Sequence, residues 1–87
     1  MPPSTDDFRN ALTEVFRSAE HLGLVAVDIT AGNLHRRVGG YPGADHRMAA
    51  CCNAMRDMMG SEDEIVAEPP ARDGASVRIR YQLPRAR

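Results

Sequence analysis

Apolar residues recur at three- and four-residue spacing over the first quarter of the chain. Phe8, Leu12, Val15, Phe16, Ala19 and Leu22 form one stripe, with Arg9, Thr13, Glu14, Arg17 and Glu20 outside it. That period predicts an amphipathic helix beginning at Asp6 or Asp7. Ser4, Thr5 and Asp6 all suit its N-cap, and Gly23 supplies its stop. The period then changes to two. In Leu24 to Ile29, the residues Val25, Val27 and Ile29 alternate with Ala26 and Asp28, which predicts a short strand. Thr30 is placed to cap a second helix, Ala31 to Val38, with Ala31, Leu34 and Val38 inward and Gly39–Gly40 at its end. Tyr41-Pro42-Gly43-Ala44 reads as a turn, because Pro42 disfavours helical backbone at Tyr41.

Asp45 is the expected N-cap of a third helix, His46 to Met59, closed by Gly60. Its apolar arc is Met48, Cys51, Cys52, Met55, Met58 and Met59; His46, Ala49, Ala50, Asn53, Arg56 and Asp57 lie opposite. Ile65-Val66-Ala67 predicts a second strand, and Pro69 to Gly74 a turn-rich tip around Asp73-Gly74. Val77, Ile79, Tyr81 and Leu83 alternate with Ser76, Arg78, Arg80 and Gln82, the pattern of a strand with one buried face. Pro84 ends it. Residues 1–4 read as a loose leader and 84–87 as a basic tail around one domain spanning 1–87.

Eighty-seven residues leave room for one small domain, and 43 % apolar with 26 % charged residues is ordinary for a folded chain. No apolar run approaches the roughly 18 residues of a membrane span, and no basic-then-apolar leader opens the chain, so a cytoplasmic protein without a membrane partner is expected. The net charge of −1 hides a segregation. Residues 1–29 carry −3, residues 30–60 +2, residues 61–69 −4 and residues 70–87 +4. All eleven Lys-plus-Arg cations are arginine, so every one can form a planar bidentate fork.

The order helix, strand, helix, helix, strand, strand, together with the ending Arg80-Tyr81-Gln82-Leu83, resembles the winged helix-turn-helix superfamily of prokaryotic DNA-binding regulators. The resemblance covers roughly Asp6 to Leu83. It implies an α+β fold of three helices and a small antiparallel sheet. A second, narrower resemblance rests on residues 28–43 (Asp-Ile-Thr-Ala-Gly-Asn-Leu-His-Arg-Arg-Val-Gly-Gly-Tyr-Pro-Gly), His46-Arg47-Met48 and Cys51-Cys52. It is to small stand-alone bacterial proteins of unassigned function, and it supplies no mechanism.

The winged-helix resemblance implies that His46, Arg47, Ala49, Ala50, Asn53 and Arg56 face the DNA major groove. Asparagine can grip adenine and arginine guanine, and alanine admits the helix backbone closely. Arg36 and Arg37 would hold the phosphate backbone, with Arg72 and Arg78 contributing from the wing. The expected role is that of a small transcriptional regulator or accessory factor acting as a homodimer. Its rival is an adaptor or inhibitor that uses the same fold for protein contact. Arg36, Arg37, Arg47, Arg72 and Arg78 sharing one surface would favour DNA. Their scattering, or Glu62–Glu64 lying among them, would favour protein contact. Near-zero net charge predicts weak non-specific affinity in either case.

Other chemistry finds little support. Cys51 and Cys52 fall within an apolar arc without CxxC or HxxxH spacing, so they read as small buried hydrophobes rather than as metal ligands with His35 or His46. The methionines read as core, with a dimer seam as the alternative. Gly39-Gly40-Tyr41-Pro42-Gly43 follows a helix and lacks both GxGxxG and the phosphate-loop lysine. No nucleophile, base and acid are grouped. We therefore expect no catalysis and no cofactor.

Overall fold

The structure, a computed structural model, describes residues 3–39, 41, 43 and 47–85. His46, the Asp45 cap, part of the turn at Gly40, Pro42 and Ala44, and the ends of the leader and tail lie outside the described residues. The element order is α1 (Thr5–His21), β1 (Ala26–Thr30), α2 (Ala31–Val38), α3 (Met48–Asp57), β2 (Glu64–Ala67) and β3 (Arg78–Gln82). The α+β class and the three-stranded antiparallel sheet agree with the sequence pattern. In that sheet β3 is central and antiparallel to both neighbours, with order β1-β3-β2.

Both ends of α1 are built by local chemistry. Of the three candidate caps, Ser4 is the one used: its hydroxyl accepts the Asp7 N–H at 3.2 Å, and its own N–H donates to the Asp7 carboxylate at 2.8 Å. This reciprocal pair is a capping box. At the other end Gly23 takes a left-handed φ of 79°. The Gly23 N–H reaches the Glu20 carbonyl at 2.9 Å and the Leu24 N–H reaches Ala19 at 3.0 Å, the paired bonds of a Schellman stop.

The start of α2 differs from expectation. Thr30 occupies the N-cap but its side chain makes no capping bond. The orphan N–H groups of Ala31 and Gly32 are instead taken by the carbonyls of Val77 at 2.8 Å and Ala75 at 3.0 Å. The segment leading into β3 thus caps α2, a device that no local pattern encodes. Gly32 permits the approach. A Cβ there would sit 3.2 Å from the Ala75 Cβ and 3.3 Å from its carbonyl oxygen.

Helix α3 begins later than the pattern predicts, at Met48, with Arg47 as N-cap and no side-chain capping bond. The Arg47 N–H is received by Nε2 of His35 at 2.7 Å, which ties the start of α3 to α2. Its described core positions match the expected arc: Cys51, Cys52 and Met55 are buried, while Met48, Met58 and Met59 pack partly buried against the core. Ala54 is also fully buried.

The core lies between the inner sheet face, Ile29, Ile79 and Tyr81, and the three helices, with Phe8, Leu12, Phe16 and Leu34 filling it. Tyr81 packs edge-on to Phe16 with centroids 4.9 Å apart, and its hydroxyl donates to the Met55 carbonyl at 2.7 Å. That buried bond holds β3 to α3. Tyr81→Phe keeps the ring and orphans the carbonyl, so a loss of about 1–2 kcal/mol in urea unfolding is expected. An unchanged midpoint would show the bond to be energetically idle.

The exposed edge strand β2 is blunted. Ile65 pairs with Ile79 and Ala67 with Arg78, so Val66 is an extra, bulged residue. A bulge and flanking acids disfavour edge-to-edge pairing with another chain.

Candidate functional site

On α3, Ala49 and Asn53 are exposed, and Arg56 follows Asn53 by three residues. At about 100° per residue the three fall within about 60° of the helix circumference and form one stripe. Ala50 lies off it, half-buried against the core rather than outward. Asp57, expected on the outer face, turns towards α1, where its carboxylate accepts from Arg9 at 2.9 Å. The stripe is therefore small and neutral in the middle.

One end of the stripe meets the elbow between α2 and α3. His35, fully buried, lies edge-on to Phe8 with centroids 4.8 Å apart, and 5.5 Å from the ring of Tyr41. Arg36 places its guanidinium 5.4 Å from the Tyr41 centroid, and one of its nitrogens donates to the Asn33 side chain at 3.3 Å. The His35–Arg47 bond brings the exposed Arg47 to the same elbow. Sequence reasoning did not place His35 in the core. The signal was present, because His35 follows Ala31 by four residues and so lies about 40° from it on α2.

The other end meets the tip of the β2–β3 hairpin. The guanidinium of Arg56 is bonded to the Asp73 carboxylate through Nη1. Nη2 donates to the Arg72 carbonyl at 2.6 Å and lies 3.6 Å from Glu68. The Arg56 side chain is only 13 % exposed, so it does not project outward as expected. Burial alone would make this guanidinium easier to deprotonate, but the Asp73 bond and both carboxylates outweigh that and hold its proton more tightly. Arg72 itself is exposed at the tip, with φ at 73°. Arg36 and Arg47 at one end and Arg72 at the other bracket a stripe about 10–11 Å long, at about 1.5 Å per helical residue.

The remaining candidate arginines lie elsewhere. Arg37 reaches towards Glu14 of α1 at 4.0 Å and lines a hollow of about 220 Å³ with Val15, Val27, Ile29 and Leu34. Arg78 is exposed on the outer sheet face, opposite Thr30 and Ala67. Beside it Arg80 forms a bidentate pair with Asp28 at 2.8 and 3.1 Å and reaches Glu64 at 3.5 Å. The Arg80 hydrogen bond holds the Asp28 carboxyl below the ordinary carboxylate range. The five cations proposed to share a surface are thus divided, while Glu64 pairs with Arg80, which is not one of them.

Arg85, expected in a basic tail, is a structural residue. Its guanidinium covers Phe16 at 4.9 Å and Tyr81 at 5.2 Å, donates to Asp63 at 2.8 Å and to the Met58 carbonyl at 2.7 Å, while its backbone N–H donates to Glu20 at 2.7 Å. A planar fork that meets carboxylate, carbonyl and ring face together can be largely buried without losing its partners.

Cys51 and Cys52 are both buried, their thiols near the carbonyls of Ala31 at 3.5 Å and Gly74 at 3.6 Å. Burial, with Cys52 adding to it, pushes the Cys51 thiol up to about 12. Burial also raises Cys52. A thiol held protonated is a poor nucleophile. Among the described residues no three His, Cys, Asp or Glu side chains converge as metal ligands, and no helix is long and apolar enough to cross a membrane. Large apolar side chains do reach the surface at the α1–β1 corner, where Leu22 and Val25 are 75 % and 77 % exposed. Comparison of the chain with protein-family models, with curated proteins and with solved structures finds no match.

Proposed function

We propose that this chain is a winged-helix module that binds DNA through a reduced surface. The surface comprises the α3 stripe of Ala49 and Asn53, with Arg36 and Arg47 at one end and the hairpin tip carrying Arg72 at the other. In this reading the hairpin is the wing. The observation that carries it is the attachment of the tip to the end of the exposed α3 stripe through Arg56. The β1-β3-β2 order, with α2 and α3 joined at an elbow, supports this reading. Asn53 is the residue best placed to discriminate bases, and the three arginines position the helix on phosphates. Arg37, Arg56 and Arg78 are left out of the contact set.

Three phosphate contacts imply a log–log salt slope near −2.7, hence about a 40-fold loss of affinity between about 50 and 200 mM salt. Fluorescence anisotropy with a mixed-sequence duplex measures this. Arg36→Ala, Arg47→Ala and Arg72→Ala are each expected to reduce the slope by about one. Absence of binding at low salt, or binding indifferent to salt, overturns the reading.

A second reading, a protein-contact adaptor or inhibitor, is favoured by the scatter of Arg37 and Arg78 and by the exposed Leu22, Leu24 and Val25. Exposed apolar side chains grouped at one corner are a feature of contact surfaces. A flat anisotropy titration at low salt would favour it, and dimerisation in light scattering that is lost in Leu22→Ser/Val25→Ser would show this corner to be a protein-contact surface.

A further inference from the structure

The α3 stripe ends on an arginine whose charge is consumed inside the molecule. Arg56 leaves the helix on the same face as Ala49 and Asn53, yet its guanidinium meets two carboxylates of the hairpin, Asp73 by a direct hydrogen bond and Glu68 at 3.6 Å. The two carboxylates thus take up the charge of Arg56 where the stripe would meet a phosphate, and leave Arg72 as the exposed cation of the tip. At separations of a few ångströms such charges are only weakly screened by salt. A second hydrogen bond, from Arg56 to the Arg72 carbonyl at 2.6 Å, involves no charge on the acceptor. It holds a tip whose Arg72 backbone lies in the left-handed region that side-chain-bearing residues rarely adopt.

We propose that Glu68 and Asp73 form an intramolecular screen: they occupy the guanidinium of Arg56 as phosphate oxygens would, and keep the α3–hairpin face in a low-affinity state. Carboxylate and phosphate present the same bidentate oxygen geometry to a guanidinium, so one can replace the other. When the two carboxylates are neutralised or drawn away, the stripe gains a phosphate-binding arginine at its hairpin end. The Arg72 carbonyl bond keeps that arginine, and the tip, in position. The inference rests on the DNA-binding reading and concerns the regulation of that same face.

The test is the double variant Glu68→Gln/Asp73→Asn, titrated with the same mixed-sequence duplex as the wild type. One additional phosphate contact should steepen the salt slope by about 0.9 and raise affinity about eightfold at about 0.1 M salt. Adding Arg56→Ala to the double variant should abolish that gain. Glu62→Gln, which neutralises an exposed acid that is not one of the two paired with Arg56, should give much less. Circular dichroism and melting monitor folding. Should the double variant not fold, Glu68→Gln alone, at the longer contact, should still give part of the gain. Binding by the double variant with none by the wild type at low salt overturns the DNA reading of the native chain, and the screen with it. A gain that survives Arg56→Ala, or wild-type binding with no gain, overturns the screen and leaves the DNA reading standing. No binding by either protein overturns both.

Discussion

Asp63→Ala is expected to destabilise the fold by about 3–5 kcal/mol, because it leaves a largely buried guanidinium without its counter-charge. The Asp63 side chain is 1 % exposed and that of Arg85 is 16 % exposed. The carboxylate accepts the Gly60 N–H at 2.7 Å, the Gln82 N–H at 2.7 Å and Arg85 at 2.8 Å. It therefore joins the segment after α3, the central strand and the C-terminal segment at one point. A folded chain of this length is stable by roughly 4–13 kcal/mol in all. A loss of this size lowers the melting temperature by at least about 12 °C. Urea unfolding would check it, and a change below about 1 kcal/mol would refute it.

The same carboxylate predicts a pH dependence. Burial pushes the Asp63 carboxyl up, but the N–H groups of Gly60 and Gln82 and then Arg85 outweigh it, so it titrates below its ordinary value of 3.8. A group held more acidic in the folded state than in the unfolded one stabilises the fold above its unfolded value. That contribution is complete above about pH 5 and is lost as pH falls through the ordinary carboxylate range towards the folded value. The stability gap between wild type and Asp63→Ala should therefore be constant near neutrality and narrow progressively below about pH 4. A gap independent of pH would contradict this.

His35→Ala is expected to cost about 3 kcal/mol, by emptying a buried site against Phe8 and removing the acceptor of the Arg47 N–H. Its effect should be local as well as global. Hydrogen exchange at the start of α3, around Met48 and Ala49, should accelerate more than exchange in α1, because the bond tying α3 to α2 is gone. Duplex affinity should fall with it, since Arg36 and Arg47 lose their common support at the elbow. Uniform acceleration across the three helices would show that His35 acts only as core volume.

The helices and strands were legible because each carries its own period. The 3–4 spacing from Phe8 to Leu22, the alternation from Val77 to Leu83, and the punctuation at Gly23 and Gly39 are local signals with local causes. The burial of Cys51 and Cys52 was legible for the same reason, since both fall within an apolar arc. The candidate site was legible only in part. Ala49 and Asn53 are where the helical period places them, and Arg36, Arg47 and Arg72 are exposed as expected. Arg56, Arg85 and His35 were not readable in this way. A long or amphipathic side chain belongs to surface or interior according to whether partners wait for it, and deciding partners such as Arg47 for His35, Asp73 for Arg56 and Met58 for Arg85 are 12, 17 and 27 residues distant in the chain.

By itself, then, the sequence determined an α+β chain with three helices, a half-buried final strand and an arginine-only set of cations, all consequences of period and composition. Only the tertiary structure decided which arginines remain on the surface. A guanidinium becomes structural when carboxylates, carbonyls and ring faces from separate elements converge on it, as at Arg56 and Arg85. That convergence is a property of packing, and no local spacing encodes it.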